Sequence, residues 1–285
     1  MRLAEIQTHI ASISELLDIV GAMRSLASMR VQEAHRALPG IRRYAETMAA
    51  GIGGALLLMP EPGGAGHTAP GRRALILCTA EHGFVGGFNA RVLDAAERAL
   101  DLDDALFVLG SRGSALVRER NWNTAWAHPM ATRPEGVPET VRPLAAEIYR
   151  LIARGHITSV EVMFVRHRQG GAATIEHRRL LPLDLASFAL KEPRLVPLHN
   201  LAPALLLEKL VADYVFALLT EAAVESLASE NAARFAAMGS AHDNVSKKLE
   251  ELHQDARQAR QSEITAELLD LVTGAEASHG TRHRQ

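Results

Sequence analysis

Alternating steps of four and three residues along the chain from Ile6 reach Ile6, Ile10, Ile13, Leu17, Val20, Arg24, Ala27, Val31, Ala34, Leu38, Ile41, Ala45, Met48, Ile52 and Ala55. All but Arg24 are apolar. A repeat averaging about 3.5 residues keeps one stripe against one partner helix, which is coiled-coil patterning rather than ordinary amphipathicity. At about 1.5 Å per residue this helix would span roughly 75 Å. That exceeds what a compact domain needs, so the pattern predicts a projecting helix with an equally long partner.

The partner lies at the other end of the chain. The same stepping gives Leu207, Leu210, Tyr214, Ala217, Glu221, Val224, Ala228, Asn231, Phe235, Met238, His242, Val245, Leu249, Leu252, Ala256 and Ala259. Three of these, Glu221, Asn231 and His242, are polar, and polar seam residues weaken a coiled coil while fixing its register. Pro203 suits a helix start and Gly274 a helix end. If Ala55 and Leu207 lie level, antiparallel pairing makes partner numbers sum to about 262. The first helix then runs out near Gln261. Beyond it the apolar positions shift phase to Ile264, Leu268, Leu271 and Val272. Each exposed large apolar side chain costs about 1.5 kcal/mol or more, so this end is expected to be gripped by another protein.

Between the helices the period changes. Arg73 to Ala80 and Ala105 to Gly110 are short apolar runs, as expected of strands buried on both faces. Asn89 to Leu100, Ser111 to Arg120 and Pro138 to Arg154 read as helices. Ser159 to Arg168 and Ala172 to Leu183 read as strands joined at Gln169-Gly170-Gly171. Strands alternating with helices predict an open, mostly parallel sheet ending in a hairpin. The fold class is α/β: a long antiparallel coiled coil of terminal helices with a central Rossmann-like open sheet. The expected divisions are 1–58 for the first helix, 72–190 for the sheet domain, 203–274 for the second helix and 275–285 for a flexible tail. The Pro/Gly-rich stretch 60–71 reads as a mobile linker.

Composition narrows the class. The 285 residues carry 31 Lys and Arg against 33 Asp and Glu, a net charge of −2, so no nucleic-acid partner is indicated. Aromatics are 4%, which suits long Ala-rich helices. No apolar run approaches the ~20 residues that span a bilayer, and no signal peptide is visible. Cys78 has no partner for an internal disulfide and reads as a buried strand residue, which favours a cytosolic setting. Gly83, Gly86 and Gly87 follow a strand, but neither the G-x-G-x-x-G spacing nor a Walker A lysine is present, so a structural turn is expected. His279 and His283 read as part of a disordered tail, and His242 as a partly solvated seam residue. No catalytic, cofactor-binding or metal-binding residue is expected.

Four stretches together resemble a known family. Ile6 to Val31 (IQTHIASISELLDIVGAMRSLASMRV), continued by Arg42 to Met48, is similar to the first helix of the gamma subunit of the rotary F-type ATP synthase. Cys78 to Asn89 (CTAEHGFVGGFN) resembles that family's strand and Gly-x-x-Gly-Gly turn. Ser226 to Asn244 and Ala259 to Ala277 resemble its C-terminal helix. Three departures mark this chain. The usual turn, Thr-Asp-Arg-Gly-Leu-Cys-Gly-Gly, is replaced by Thr79 to Gly87; Gly21 stands where Lys is usual; and the tail beyond Ala277 overruns the usual end. These suit a divergent branch, such as the alternate sodium-linked bacterial ATPase, and leave the coupling ion open.

The resemblance implies a non-catalytic rotor shaft, peripheral on the cytoplasmic face of the bacterial membrane, that couples ion flow to ATP synthesis or hydrolysis. The implied partners are the alpha and beta subunits of the catalytic ring, the epsilon subunit and the c-subunit membrane ring. The implied contact residues are Met23, Arg24, Arg260 and Gln261, with Ile264, Leu268, Leu271 and Val272 at the tip. Arg24 has three open readings: a register device, a snorkelling surface cation, or a contact to an acidic loop of the ring. Two other classes compete. A stand-alone nucleotide-binding enzyme dimerised by the coiled coil would need a ligand site near Gly83 to Gly87. A passive scaffold would need no α/β domain.

Overall fold

The structure, a computed structural model, describes residues 3–59, 71–167, 173–188 and 198–282, with side chains in the last segment described through Val272. Linker residues 60–70, the hairpin turn at 169–171 and the side chains of His279 and His283 lie outside the described residues. In chain order the elements are α1 (Leu3–Leu56), β1 (Arg73–Cys78), α2 (Phe88–Ala99), β2 (Ala105–Leu109), α3 (Ser111–Glu119), β3 (Thr124–His128), α4 (Val137–Ala153), β4 (Ser159–Arg166), β5 (Thr174–Leu181) and α5 (Pro203–Arg282).

The 54 residues of α1 include Pro39, which has no N–H to return to the carbonyl of His35. Its ring faces solvent, so the helix loses one bond and continues. The 80 residues of α5 run past Gly274. The expected helix end there is corrected: an isolated glycine late in a helix costs only about 1 kcal/mol and need not stop it.

The five strands lie in the order β3-β2-β1-β4-β5. Neighbours are parallel except β4 and β5, which pair antiparallel. The expected parallel sheet with a final hairpin pair is therefore present. Unanticipated is β3, an edge strand whose residues alternate between partly buried and exposed. Alternate side chains divide the sheet's apolar residues between two faces. On one face Ile76, Phe107, Val162 and Phe164 join α4, α1 and α5 through Leu144, Ile148, Leu38 and Leu227. On the other Leu75, Leu77, Val108 and Met163 meet α2 and α3 through Phe88, Val92 and Val117.

The chain divides into two compact units, Met1–Ser25 with Ala236–Gln285, and Leu26–Phe235. In the first, Ile6 and Val20 of α1 and Met238 and Leu252 of α5 are buried. A Cβ on Gly239 would lie 3.9 Å from Nε of Arg24, a pair whose numbers sum to 263. In the second, Gly51 faces Leu210 and Arg42 bonds Glu221, pairs that sum to 261 and 263. The antiparallel register from the pattern holds within each unit. No predicted seam residue of α1 is exposed.

Two seam readings need correction. Phe235 is 38% exposed. Asn231 is buried, yet its amide bonds stay within α5: Nδ2 donates to the Leu227 carbonyl and Oδ1 accepts from Arg234, both at 2.8 Å. It does not set the register with α1.

Candidate partner-contact surface

In the sheet unit, the switch point of an open α/β sheet is where a nucleotide would bind, at the carboxyl ends of the strands on either side of the reversal. Here these are β1 and β4. That crevice holds α5. Ser226 Oγ donates to the Cys78 carbonyl at 3.0 Å, and Ser229 Oγ donates to the Val165 carbonyl at 2.7 Å. Thirteen consecutive α5 residues, 219–231, are buried on every side. The polar ones among them are paired rather than solvated, as burial demands.

The turn after β1 is built into the same structure. Asn89 Oδ1 accepts from the Ala80 N–H at 2.9 Å. Glu81 accepts from the N–H groups of Ser111 and Met130, at 2.9 and 2.7 Å. Burial pushes the Glu81 carboxyl up, but these bonds and that from the Ser111 hydroxyl hold it below its ordinary value. A carboxylate thus occupies the N-terminus of α3, where an anion would otherwise sit. Gly110, at φ 110°, lets α3 approach, since a Cβ there would meet the Thr79 carbonyl oxygen at 2.5 Å. Arg234 donates to the carbonyls of His82 and Gly83 and pairs with buried Glu230 at 2.6 Å. Phe84, at φ 61°, is exposed. Asp104, just before β2, lies at the opposite, amino end of the sheet and pairs with Arg73.

A charged junction joins α1, α5 and the β4-β5 pair. Arg42 Nε donates to Glu221 Oε1 at 2.9 Å, and Arg178 donates to Glu221 Oε2 at 2.8 Å. Arg42 and Arg166 both reach Glu225. Burial raises the Glu221 carboxyl, but the hydrogen bonds and charges of Arg178 and Arg42 outweigh it and leave the group below its ordinary value. For Glu225 burial wins over Arg166 and Arg42, and its carboxyl stands above its ordinary value. Glu221 crosses to α1 and so does fix register. The period alone gives no sign of Arg178 and Glu225, or of Ser226 and Ser229.

The other unit carries the expected contact residues. Arg260 and Gln261 are exposed on α5, as is every residue from there to Val272. Ile264, Leu268, Leu271 and Val272 are 50, 57, 70 and 55% exposed. Leu269, missed by the seam stepping, is exposed beside them. On α1 Met23 and Arg24 are half-buried. Among the described residues no group of three or more His, Cys, Asp or Glu is placed to hold a metal, and no helix is long and apolar enough to cross a membrane.

Comparison with known proteins gives a consistent result. Residues 2–277 match a family model described as ATP synthase. The ATP synthase gamma chain of Prosthecochloris aestuarii is 25% identical over 98% of this chain and 99% of its own length. That of Streptomyces coelicolor is 29% identical over 94% and 93%. A chain from the Euglena gracilis mitochondrial ATP synthase, in a structure of OSCP, F1 and c-ring, aligns over 98% of this chain and 95% of its own at a TM-score of 0.64 and 12% identity. A chain from the central stalk and c-ring of the Tetrahymena thermophila mitochondrial enzyme aligns over 78% and 99% at a TM-score of 0.56 and 19% identity.

Proposed function

The chain belongs to this ATP synthase family, and from that premise we propose how its surfaces serve the enzyme. It is the gamma subunit, the central stalk of an F-type ATP synthase, a non-catalytic and peripheral part of the complex. In our reading the unit holding Met1–Ser25 and Ala236–Gln285 turns inside the ring of alpha and beta subunits. Arg260, Gln261, Ile264, Leu268, Leu271 and Val272 bear on that ring, with Met23 and Arg24 on the neighbouring helix. The other unit meets the epsilon subunit and the c-ring, on the cytoplasmic face of the membrane. An asymmetric shaft holds each ring subunit in a different conformation, and its rotation couples ion flow to ATP synthesis or hydrolysis.

The observation that carries this reading is the row of Ile264, Leu268, Leu271 and Val272, each half exposed or more. Four such side chains left in water cost about 6 kcal/mol at ~1.5 kcal/mol each. A bearing that covers them removes that cost. The enzyme alternative is disfavoured because α5 fills the crevice it requires. A photo-crosslinker placed at Leu268 in the assembled complex tests the assignment. Capture of alpha or beta is expected, with none from a crosslinker at Leu102, which stands fully exposed before β2. Capture of the epsilon or c subunit at Leu268 would reverse the proposed orientation.

A further inference from the structure

His35 of α1 and His167, just past the end of β4, form a ring pair with centroids 6.0 Å apart and planes tilted by 47°. Nε2 of His35 and Nδ1 of His167 are both buried and lack a hydrogen-bond partner. A buried polar atom left unpaired forfeits the hydrogen bond water would give it, so two at one joint make it a weak point. The helix is weakened there as well, because Pro39 withholds the N–H that would bond the His35 carbonyl. Two imidazoles are too few for a structural metal site, and the described residues supply no third ligand. What the pair can still take up is a proton.

We propose that the His35–His167 pair is a proton-sensitive latch between α1 and β4, closed at neutral pH and loosened by mild acidification. The charged groups around it come from α1, β4, β5 and α5. Glu225 of α5 faces His167 and also meets Arg42 of α1 and Arg166 of β4. Glu221 of α5 with Glu176 and Arg178 of β5 completes the junction. Burial, then the charge of His35, holds His167 below its ordinary value, and Glu225 opposes this without prevailing. The sign follows. An opened joint binds a proton near the ordinary histidine value of about 6.5, whereas the closed joint resists until lower pH. The closed form is therefore fully favoured above that value and loses ground as pH falls below it.

Two measurements on the full chain test the latch. The first is the NMR titration of the His167 ring in the unaltered protein, expected to fall below the ordinary histidine value. The second is hydrogen exchange at the α1 turn around His35 and at the end of β4, corrected for the intrinsic rate. Protection should drop about threefold or more between about pH 7.5 and pH 5.5. The drop should vanish in His167→Gln, with protection kept at neutral pH. A His167 titration at or above the ordinary value, or an equal loss of protection in His167→Gln, overturns the proposal.

Discussion

Glu221 and Glu225 sit one helical turn apart on α5 and share Arg42, yet burial and pairing push them in opposite directions. Glu221, depressed, contributes stability that is present above the ordinary glutamate value of about 4.3 and lost as pH falls through its lower native value. Glu225, raised, is favoured neutral, and its contribution falls as pH rises through its native value. Glu221→Gln should therefore lower stability at pH 7 by about 1–3 kcal/mol. Glu225→Gln should cost less there, and the Glu221→Gln deficit should shrink in acid. Thermal unfolding of the purified variants at neutral and acidic pH measures both. A larger neutral-pH cost for Glu225→Gln would mean that pairing, not burial, dominates that site. Such detail was only partly legible. Glu221 stood out because the seam expects an apolar residue there. The seam period gave no sign of Glu225, Ser226 and Ser229, because their partners come from elements far away in sequence.

At the scale of elements, the 3.5-residue repeat located α1 and its register because one face of that helix does one job. Every predicted seam position in α1 is at least half-buried, and Gln32, one step away, is exposed. Val20→Asp should therefore destabilise the chain by several kcal/mol, as an unpaired buried charge does. Gln32→Asp should stay within about 0.5 kcal/mol of the parent. Equal melting temperatures for the two would break the seam assignment. The same rule failed on α5 at residues 219–231. A seam assumes one partner, and this stretch has α1 on one side and the sheet on the other. The strand β3 escaped notice because an edge strand with a Thr-Ala-Trp-Ala-His sequence has neither a continuous apolar run nor a strong polar alternation. The buried strands β1, β2 and β4 carried their signal in composition alone.

For the whole molecule, the central claim is that the end of α5 beyond Gln261 serves partners rather than the chain's own fold. Its apolar residues face outward, while the buried residues of the sheet unit and the seam of α1 lie elsewhere in the sequence. This end was legible as a change of phase where the antiparallel register runs out, and family resemblance supplied the kind of partner. Removing the residues after Gln261 should leave the sheet unit and most of the paired helices folded, and the complex should still assemble through its base. The direct measurement is the number of ions pumped per ATP hydrolysed by the reconstituted complex, truncated against full length. The ratio should fall sharply while ATP hydrolysis continues, because nothing then centres the shaft in the ring. An unchanged ratio would contradict the account and make the exposed row from Ile264 to Val272 dispensable for coupling.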